Sequence, residues 1–474
     1  MWPCLSLKDA SDIASLYAKR AMGDFSVTSQ DNLSLPRQPV RTKVEAVAGR
    51  KQDIIRQRIK LGYISPDFTG KHPLAFLMQD VFRFHDPSLF EIYIYSPYES
   101  DNSPEVEKIK SSADHWTVLS PPVQNMADTI RSDDLDILID LCGYTGTSLI
   151  AEVMAHRVTP IQIGYMGFPA STGAPFIDFM ICDKVVVPPE ELSIRQYYSE
   201  NCIFMPHCYF VNSHKFLASS SGSSNKGVDL SRNIHGLPEE GFIYCCHSRP
   251  EKIDPITYRS WLRVLKAVRD RGVQVGNPRL ANAVLWLLRS GNEMERNLRQ
   301  IATQEFGLVD EALIFADNAP RDDHLNRLKV ADLFLDTPAY NAHTVGVDCL
   351  SAGVPMVSLL RETTTTSQFT INDEGHVATE KLASRVGASL LKSIGLDNCI
   401  ASTMDEYEAI MERSATDHAW FSEIKTHLVN ARDQSPLFDT ERWVKNLEAA
   451  LIEVSSPSQR MSTNFDVYVI DEDY

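Results

Sequence analysis

A chain of 474 residues is too long for one hydrophobic core, since single cores stop growing near about 250 to 300 residues, so two domains are expected. Hydrophobic residues make up 43% and charged residues 23%, a balance that excludes a disordered or fibrous chain. With a net charge of -17 and no basic stripe, nucleic acid is not an expected partner, and no run approaches the roughly 18 uninterrupted apolar residues of a membrane span.

The start, "MWPCLSLKDAS", lacks a cationic segment followed by a long apolar run, so no secretory leader is expected. The nine cysteines are odd in number and lack paired C-x-x-C spacing, which reads as reduced core thiols rather than staples or zinc ligands. Cytoplasm or nucleus is the compartment that follows. Residues 1–58 are polar and helix-leaning and are expected to form an N-terminal arm with no full repeat array. From 59 to 218 strands and helices alternate: "KLGYISPDF", a helix from His72 to about Phe84, "FEIYIYSP", a helix near 104, "HWTVLS", helix 124–133, "DILIDLCGYT", helix 148–157, "PIQIGYMGF". Residues 219–231 are Ser/Gly-rich and read as a linker. The rhythm restarts over 232–455, with "GFIYCCH", "DPITYRSWLRVLKAV", "AVLWLLR", "EALIFAD" and "ADLFLDTP" leading to a helix at 344–352, and 456–474 reads as a disordered tail. Two insertions, 269–283 and 363–381, read as surface loops. The fold class expected is α/β, two doubly wound Rossmann-like domains with ligands bound in a cleft at the C-terminal ends of the strands.

In "LDTPAYNAHTVGVDCLSAGVPMV" a strand ends at Asp336 and a helix opens near Thr344, and the free amides of such a helix mouth attract anions. Ala342 and Gly346 permit close approach, Thr344 offers a hydroxyl, His343 an imidazole donor, and Asp348 an acceptor for a ribose hydroxyl; the plainer reading makes Thr344 an N-cap and His343 a loop residue. Lys252, in "CCHSRPEKIDP", follows the first strand of the same domain and is either a solvated lysine or the counter-charge of a departing diphosphate. "DNAPRDDHLNR" adds His324, able to stack on a flat base, with Arg321 and Arg327 nearby.

Together with "GYISPDFTGKHPLAFLMQ", "CGYTG", "PIQIGYMGFPASTGAPFIDF", "NAPRDDH" and "SPLFDT", these stretches make the chain resemble the catalytic region of the O-GlcNAc transferase family, over roughly residues 59–212 and 232–450. That resemblance implies the two-domain GT-B architecture and an inverting enzyme that moves GlcNAc from UDP-GlcNAc to Ser/Thr hydroxyls of intracellular proteins, with no metal. It puts the diphosphate on Lys252, His343 and Thr344, the ribose on Asp348 and Arg321, and the base on His324 and the backbone of Ala319, with Arg327 beside them. In the first domain it implies His72, followed by Pro73, and Asp67 at the active site, with Met166 and Gly167 at the sugar-contacting turn. The proton acceptor stays open among His72, Asp67 and a donor phosphate oxygen. His72 also reads as a helix-start cap. Asp134 and Asp136 form a D-x-D at a strand entrance and read as boundary solvation, not as a metal site.

The chain departs from the family pattern in lacking the long helical-repeat array and a histidine-rich segment before the catalytic region. Around Lys252 the loop reads "HSRPEK", which leaves Ser248, Arg249 and Glu251 in altered roles, Arg249 being kept among the donor-contacting positions. Two alternatives therefore stand beside the transferase: a SPINDLY-type O-fucosyltransferase using GDP-fucose, and a catalytically weakened nucleotide-sugar-binding scaffold.

Overall fold

The computed structural model describes residues 5–23, 40–45, 58–216, 231–361, 379–456 and 465–471. The chain divides into two compact units, one formed by Leu7–Phe216 with Pro436–Tyr474, the other chiefly by Leu217–Ser435.

The first unit is built on a nine-stranded parallel sheet. In chain order its strands are β1 (Val40–Glu45), β2 (Ile59–Ile64), β3 (Phe90–Ser96), β4 (His115–Val118), β5 (Ile137–Asp140), β6 (Ile161–Gly164), β7 (Phe179–Asp183), β8 (Asn201–Met205) and, after the second unit, β15 (Phe465–Ile470). They lie in the order β1-β15-β8-β7-β6-β5-β2-β3-β4. The central strands are continuous apolar runs rather than alternating ones, as a sheet covered on both faces requires; every residue of β5 and of β7 is buried. Register carries Ile64 to Tyr95 on one side and to Asp140 on the other, so β2, β3 and β5 end together.

The second unit repeats the plan with β9 (Ile243–Cys246), β10 (Val284–Leu288), β11 (Leu313–Ala316), β12 (Leu333–Leu335), β13 (Met356–Leu359) and β14 (Ile400–Ala401), ordered β11-β10-β9-β12-β13-β14 and parallel throughout. Its longest helix, Pro255–Val275, shows why the sequence folds this way. Asp254 caps it by accepting from the Ile256 and Thr257 amides, Pro255 fits the first turn, and Gly276 ends it at φ +63°. Its inner face buries Trp261, Leu262, Leu265 and Val268.

Several expectations need correction. The segment 456–474 is not all tail: "FDVYVI" forms β15, inserted between β1 and β8. Asp466 anchors it by accepting from the Cys202 amide at 2.7 Å and from the buried Arg195 guanidinium at 3.1 Å. The second unit does not run to 455, because the helix Thr440–Ser455 packs on the first unit. There Glu448 accepts from His85 Nδ1 at 3.0 Å and from the Asp86 amide at 2.7 Å, while Tyr63 Oη donates to His85 Nε2 at 2.8 Å. Residues 1–58 hold more than a helical arm: the helix Leu7–Ala21 buries Ala10, Ala14 and Ala18 and meets the helix Leu149–Ala155, and β1 joins the sheet. The piece 269–283 is no loop, since it extends the helix Pro255–Val275 and adds the helix Pro278–Ala281. The helix expected from His72 to Phe84 is two pieces, Pro73–Met78 and a 3-10 turn at Phe82–Phe84. Most of the linker, 219–230, and of the other insertion, 363–378, lie outside the described residues. All eight cysteines among the described residues are buried free thiols.

Asp466→Ala leaves the Arg195 charge buried without its carboxylate and is expected to cost about 3 kcal/mol in chemical denaturation, whereas replacing both residues by apolar ones costs much less. A single variant within about 0.5 kcal/mol of wild type would contradict the anchoring role.

Candidate active site

In the second unit three loops leave the C-terminal ends of β9, β11 and β12, the edge at which open α/β sheets take ligands. Asp336, directly after β12, has no exposed surface. Its Oδ1 accepts from the Thr337 amide at 2.9 Å and the Ala342 amide at 2.6 Å, and its Oδ2 from Ser358 Oγ at 2.6 Å. Burial raises its pKa to about 6, against the opposing pull of those hydrogen bonds and of Lys252. The loop it holds is pinned further: Thr337 Oγ1 donates to the Tyr340 carbonyl at 2.6 Å, Ser384 Oγ to the Ala339 carbonyl at 2.7 Å, and the Asn341 amide to Ala383 at 2.7 Å. Gly387 allows the contact, since a Cβ there would stand 2.1 Å from Asp336 Oδ2.

This loop receives Lys252 from β9's side of the sheet. The lysine ends the 3-10 turn Pro250–Lys252, donates from Nζ to the Asn341 carbonyl at 2.7 Å and lies 4.2 Å from the centre of the Tyr340 ring. Three residues beyond Asn341 the helix Thr344–Ser351 begins, with His343 at its N-cap and Thr344 half-buried in its first turn. The ammonium and the open amides of that helix therefore share one loop. Burial lowers the Lys252 pKa to about 8; Asp336 and Cys246 oppose the shift and the exposed Arg249 adds to it. His343 is held neutral, its pKa pushed down to about 3 by burial and by Lys252. Its Nε2 faces the Ala383 carbonyl at 3.4 Å, which can only accept, so the Nε2 proton is turned to the protein and not to an incoming anion.

A second network lies on the helices Arg321–Leu328 and Thr344–Ser351. Arg321 Nη2 donates to Asp348 Oδ1 at 3.0 Å, and His324 Nε2 stands 4.0 Å from Asp348 Oδ2. Arg327 donates to the Asp317 carbonyl at 2.6 Å and to His324 Nδ1 at 3.1 Å. Because arginine only donates, Nδ1 is the acceptor and the proton sits on Nε2; burial, with the two arginines, lowers the His324 pKa to about 4. Ala319 lies in the short turn between β11 and this network.

In the first unit, His72 caps the helix Pro73–Met78: its Nδ1 accepts from the Leu74 amide at 3.3 Å and lies 3.9 Å from Asp67 Oδ2. Burial raises the Asp67 pKa, with the His72 charge opposing. The turn after β6 places Met166 at φ +61°, uncommon for a residue with a side chain. Gly167 follows, where a Cβ would meet the Leu141 carbonyl at 2.0 Å, and Thr145 Oγ1 of "CGYTG" donates to the Gly167 carbonyl at 2.7 Å. Asp136 of the D-x-D accepts from the Lys60 amide at 3.1 Å, a strand-entrance role.

Sequence reasoning picked out Lys252, His343, Thr344 and the Arg321, His324, Arg327, Asp348 set, and within this unit the structure gathers them into two neighbouring clusters. It missed Tyr340 and the anchoring by Asp336. The available signals were a carboxylate ending the apolar run "LFLD" and an aromatic in the loop before a helix mouth.

The fold is of the GT-B class, two Rossmann-like parallel-sheet units in one chain, and it is similar to that of an O-GlcNAc transferase from Thermobaculum terrenum, with a TM-score of 0.70 over 95% of this chain and 75% of that chain at 20% identity. The chain belongs to glycosyl transferase family 41, whose sequence pattern matches residues 27–220, 216–372 and 375–447. It is 36% identical over 394 residues, 83% of this chain, to the probable UDP-N-acetylglucosamine-peptide N-acetylglucosaminyltransferase SEC of Arabidopsis thaliana, and 26% identical over 401 residues, also 83% of this chain, to the protein of the same description named SPINDLY from Petunia hybrida. It spans only 36% and 38% of those relatives' lengths. Among the described residues, no helix is long and apolar enough to cross a membrane.

Gly387→Ala forces a methyl against Asp336 and Ser358 and is expected to cost about 1 to 3 kcal/mol in denaturant unfolding. Unchanged stability would show that the loop is not held as described.

Proposed function

We propose that the chain is an inverting glycosyltransferase that moves GlcNAc from UDP-GlcNAc to Ser/Thr hydroxyls of proteins. The observation that carries this reading is Lys252 Nζ held on the Asn341 carbonyl, two residues ahead of the helix mouth at His343 and Thr344. In the reaction the acceptor oxygen bonds to C1 as the bond from C1 to the β-phosphate oxygen breaks, with that electron pair leaving on the diphosphate. Lys252 and the amides of the helix Thr344–Ser351 neutralise the charge that develops there. Asp348, already hydrogen-bonded to Arg321, accepts from the ribose; His324, kept neutral, offers a flat face to the base, beside Ala319 and Arg327. Arg249, exposed and close enough to depress Lys252, adds positive charge for the diphosphate.

His343 contributes less than an imidazole donor would, because Nε2 is engaged with Ala383; it serves by shaping the turn. The hydroxyl proton goes to Asp67 rather than His72 if a side chain takes it, since His72 Nδ1 already accepts the Leu74 amide while burial makes Asp67 more basic. Met166 and Gly167 form the sugar-contacting turn, Pro73 setting the start of the helix behind His72. The acceptor proteins are cytoplasmic or nuclear in this reading, and neither metal, membrane nor nucleic acid takes part. Both relatives are described as UDP-N-acetylglucosamine-peptide N-acetylglucosaminyltransferases, which supports UDP-GlcNAc as the donor in this reading.

UDP at 100 times its dissociation constant is expected to stabilise the protein by roughly 2.7 kcal/mol while GDP at the same concentration does not; the reverse result would favour the fucosyl reading. Incubation with labelled UDP-GlcNAc and a Ser-rich peptide should yield glycopeptide, and Asp67→Asn should lower that rate by about 100-fold with UDP affinity retained. Binding of UDP with neither glycopeptide nor donor hydrolysis would identify a scaffold instead. UDP affinity should fall as pH rises above about 8, where the Lys252 ammonium of the free protein loses its proton, and Lys252→Met should remove that dependence. A flat profile between pH 7 and 9.5 in the wild type would count against Lys252 as the diphosphate ligand.

A further inference from the structure

Tyr340 has no part in the assignments above, yet its ring touches two of the residues they use. Lys252 Nζ lies 4.2 Å from the ring centre, inside the distance at which an ammonium is drawn to the negative face of an aromatic ring. The His343 ring is stacked on it at 5.3 Å between centres and 19° between planes. Tyr340 itself is fixed by its backbone: its amide donates to the Thr337 carbonyl at 3.2 Å, its carbonyl accepts from Thr337 Oγ1, and the neighbouring Ala339 and Asn341 are tied to Ser384 and Ala383. A rigid ring is thus set beside a long and otherwise flexible cation.

The consequence is for how the cation waits. A lysine on a four-carbon stem loses most of its rotamer freedom when it must meet an anion at one point. Here one N–H is spent on the Asn341 carbonyl and the ring face supports the charge, which leaves the ammonium oriented before any anion arrives. The groups bearing on that ammonium are the Asp336 carboxylate, the buried Cys246 thiol, the Arg249 guanidinium and the neutral His343, with the Tyr340 hydroxyl itself protonated.

We propose that Tyr340 is a positioning residue for the donor diphosphate: through its ring face it holds the Lys252 ammonium charged and in place at the mouth of the helix Thr344–Ser351. The inference rests on the reading of Lys252 as the diphosphate ligand.

The test is titration calorimetry of the full chain with UDP and with UMP, which lacks the second phosphate. Tyr340→Phe keeps the face and should bind UDP within about two-fold of wild type. Tyr340→Leu should bind UDP about ten-fold more weakly, lose much less for UMP, and show its alkaline fall in UDP affinity at a lower pH. Phenylalanines carrying one, two and three ring fluorines at position 340 keep the shape while draining the ring face of negative charge, so they answer even if the leucine variant fails to fold. UDP affinity should fall stepwise with fluorination. Equal UDP affinity across the fluorinated series, or equal losses for UDP and UMP, would overturn the proposal. Absence of UDP binding in the wild type, or wild-type affinity in Lys252→Met, would instead overturn the assignment of Lys252 on which it stands.

Discussion

Asp336 carries a carboxylate with no surface to water, at the point where β12 gives way to the loop before the helix Thr344–Ser351. A carboxylate so placed is tolerable only when its lone pairs are taken up, and three donors from Thr337, Ala342 and Ser358 do so, with Gly387 leaving the space they need. Everything else at this edge of the second unit is hung from that arrangement: the carbonyl of Asn341 that receives Lys252, the ring of Tyr340, and the orientation of the helix mouth.

The electrostatics follow one logic. Lys252 is depressed by burial, His324 and His343 are held neutral, and Arg321 and Arg327 are already hydrogen-bonded to protein oxygens. Apart from the exposed Arg249, such a site is short of negative charge without carrying freely solvated cations. A diphosphate entering it relieves the desolvated lysine and restores its affinity for the proton, so binding and protonation reinforce each other.

The general plan was legible because parallel strands buried on both faces read as apolar runs, as in "DILIDL" and "ADLFLD", and because Asp254 with Pro255 marks a helix start by local chemistry alone. Helix mouths were legible for the same reason: "NAHTVG" shows small residues where backbone amides must be approached. What could not be read was pairing between distant segments. "FDVYVI" is a good strand by composition, but its place depends on Arg195 and Cys202, more than 260 residues earlier. The stretch 269–283 carries Gly and Pro that suggest a loop, yet Arg269 donates to the Ala283 carbonyl at 2.6 Å and Gly272 sits against Ala281, so the helix runs on past Gly272 and stops only at Gly276. The direction of the His343 proton was likewise set by Ala383, forty residues away, and no spacing rule reports it.

The insertion of β15 between β1 and β8 bears on synthesis. A polypeptide leaves the ribosome from its N-terminus, and Leu217–Ser435, which makes up most of the second unit, is synthesised before β15. Until then the flank of β8 offers unpaired amides and carbonyls, the kind of open border that attracts stray strands from other chains. The unit that holds β1 to β8 is therefore the one completed last, and both β1 and the flank of β8 wait for the strand that joins them.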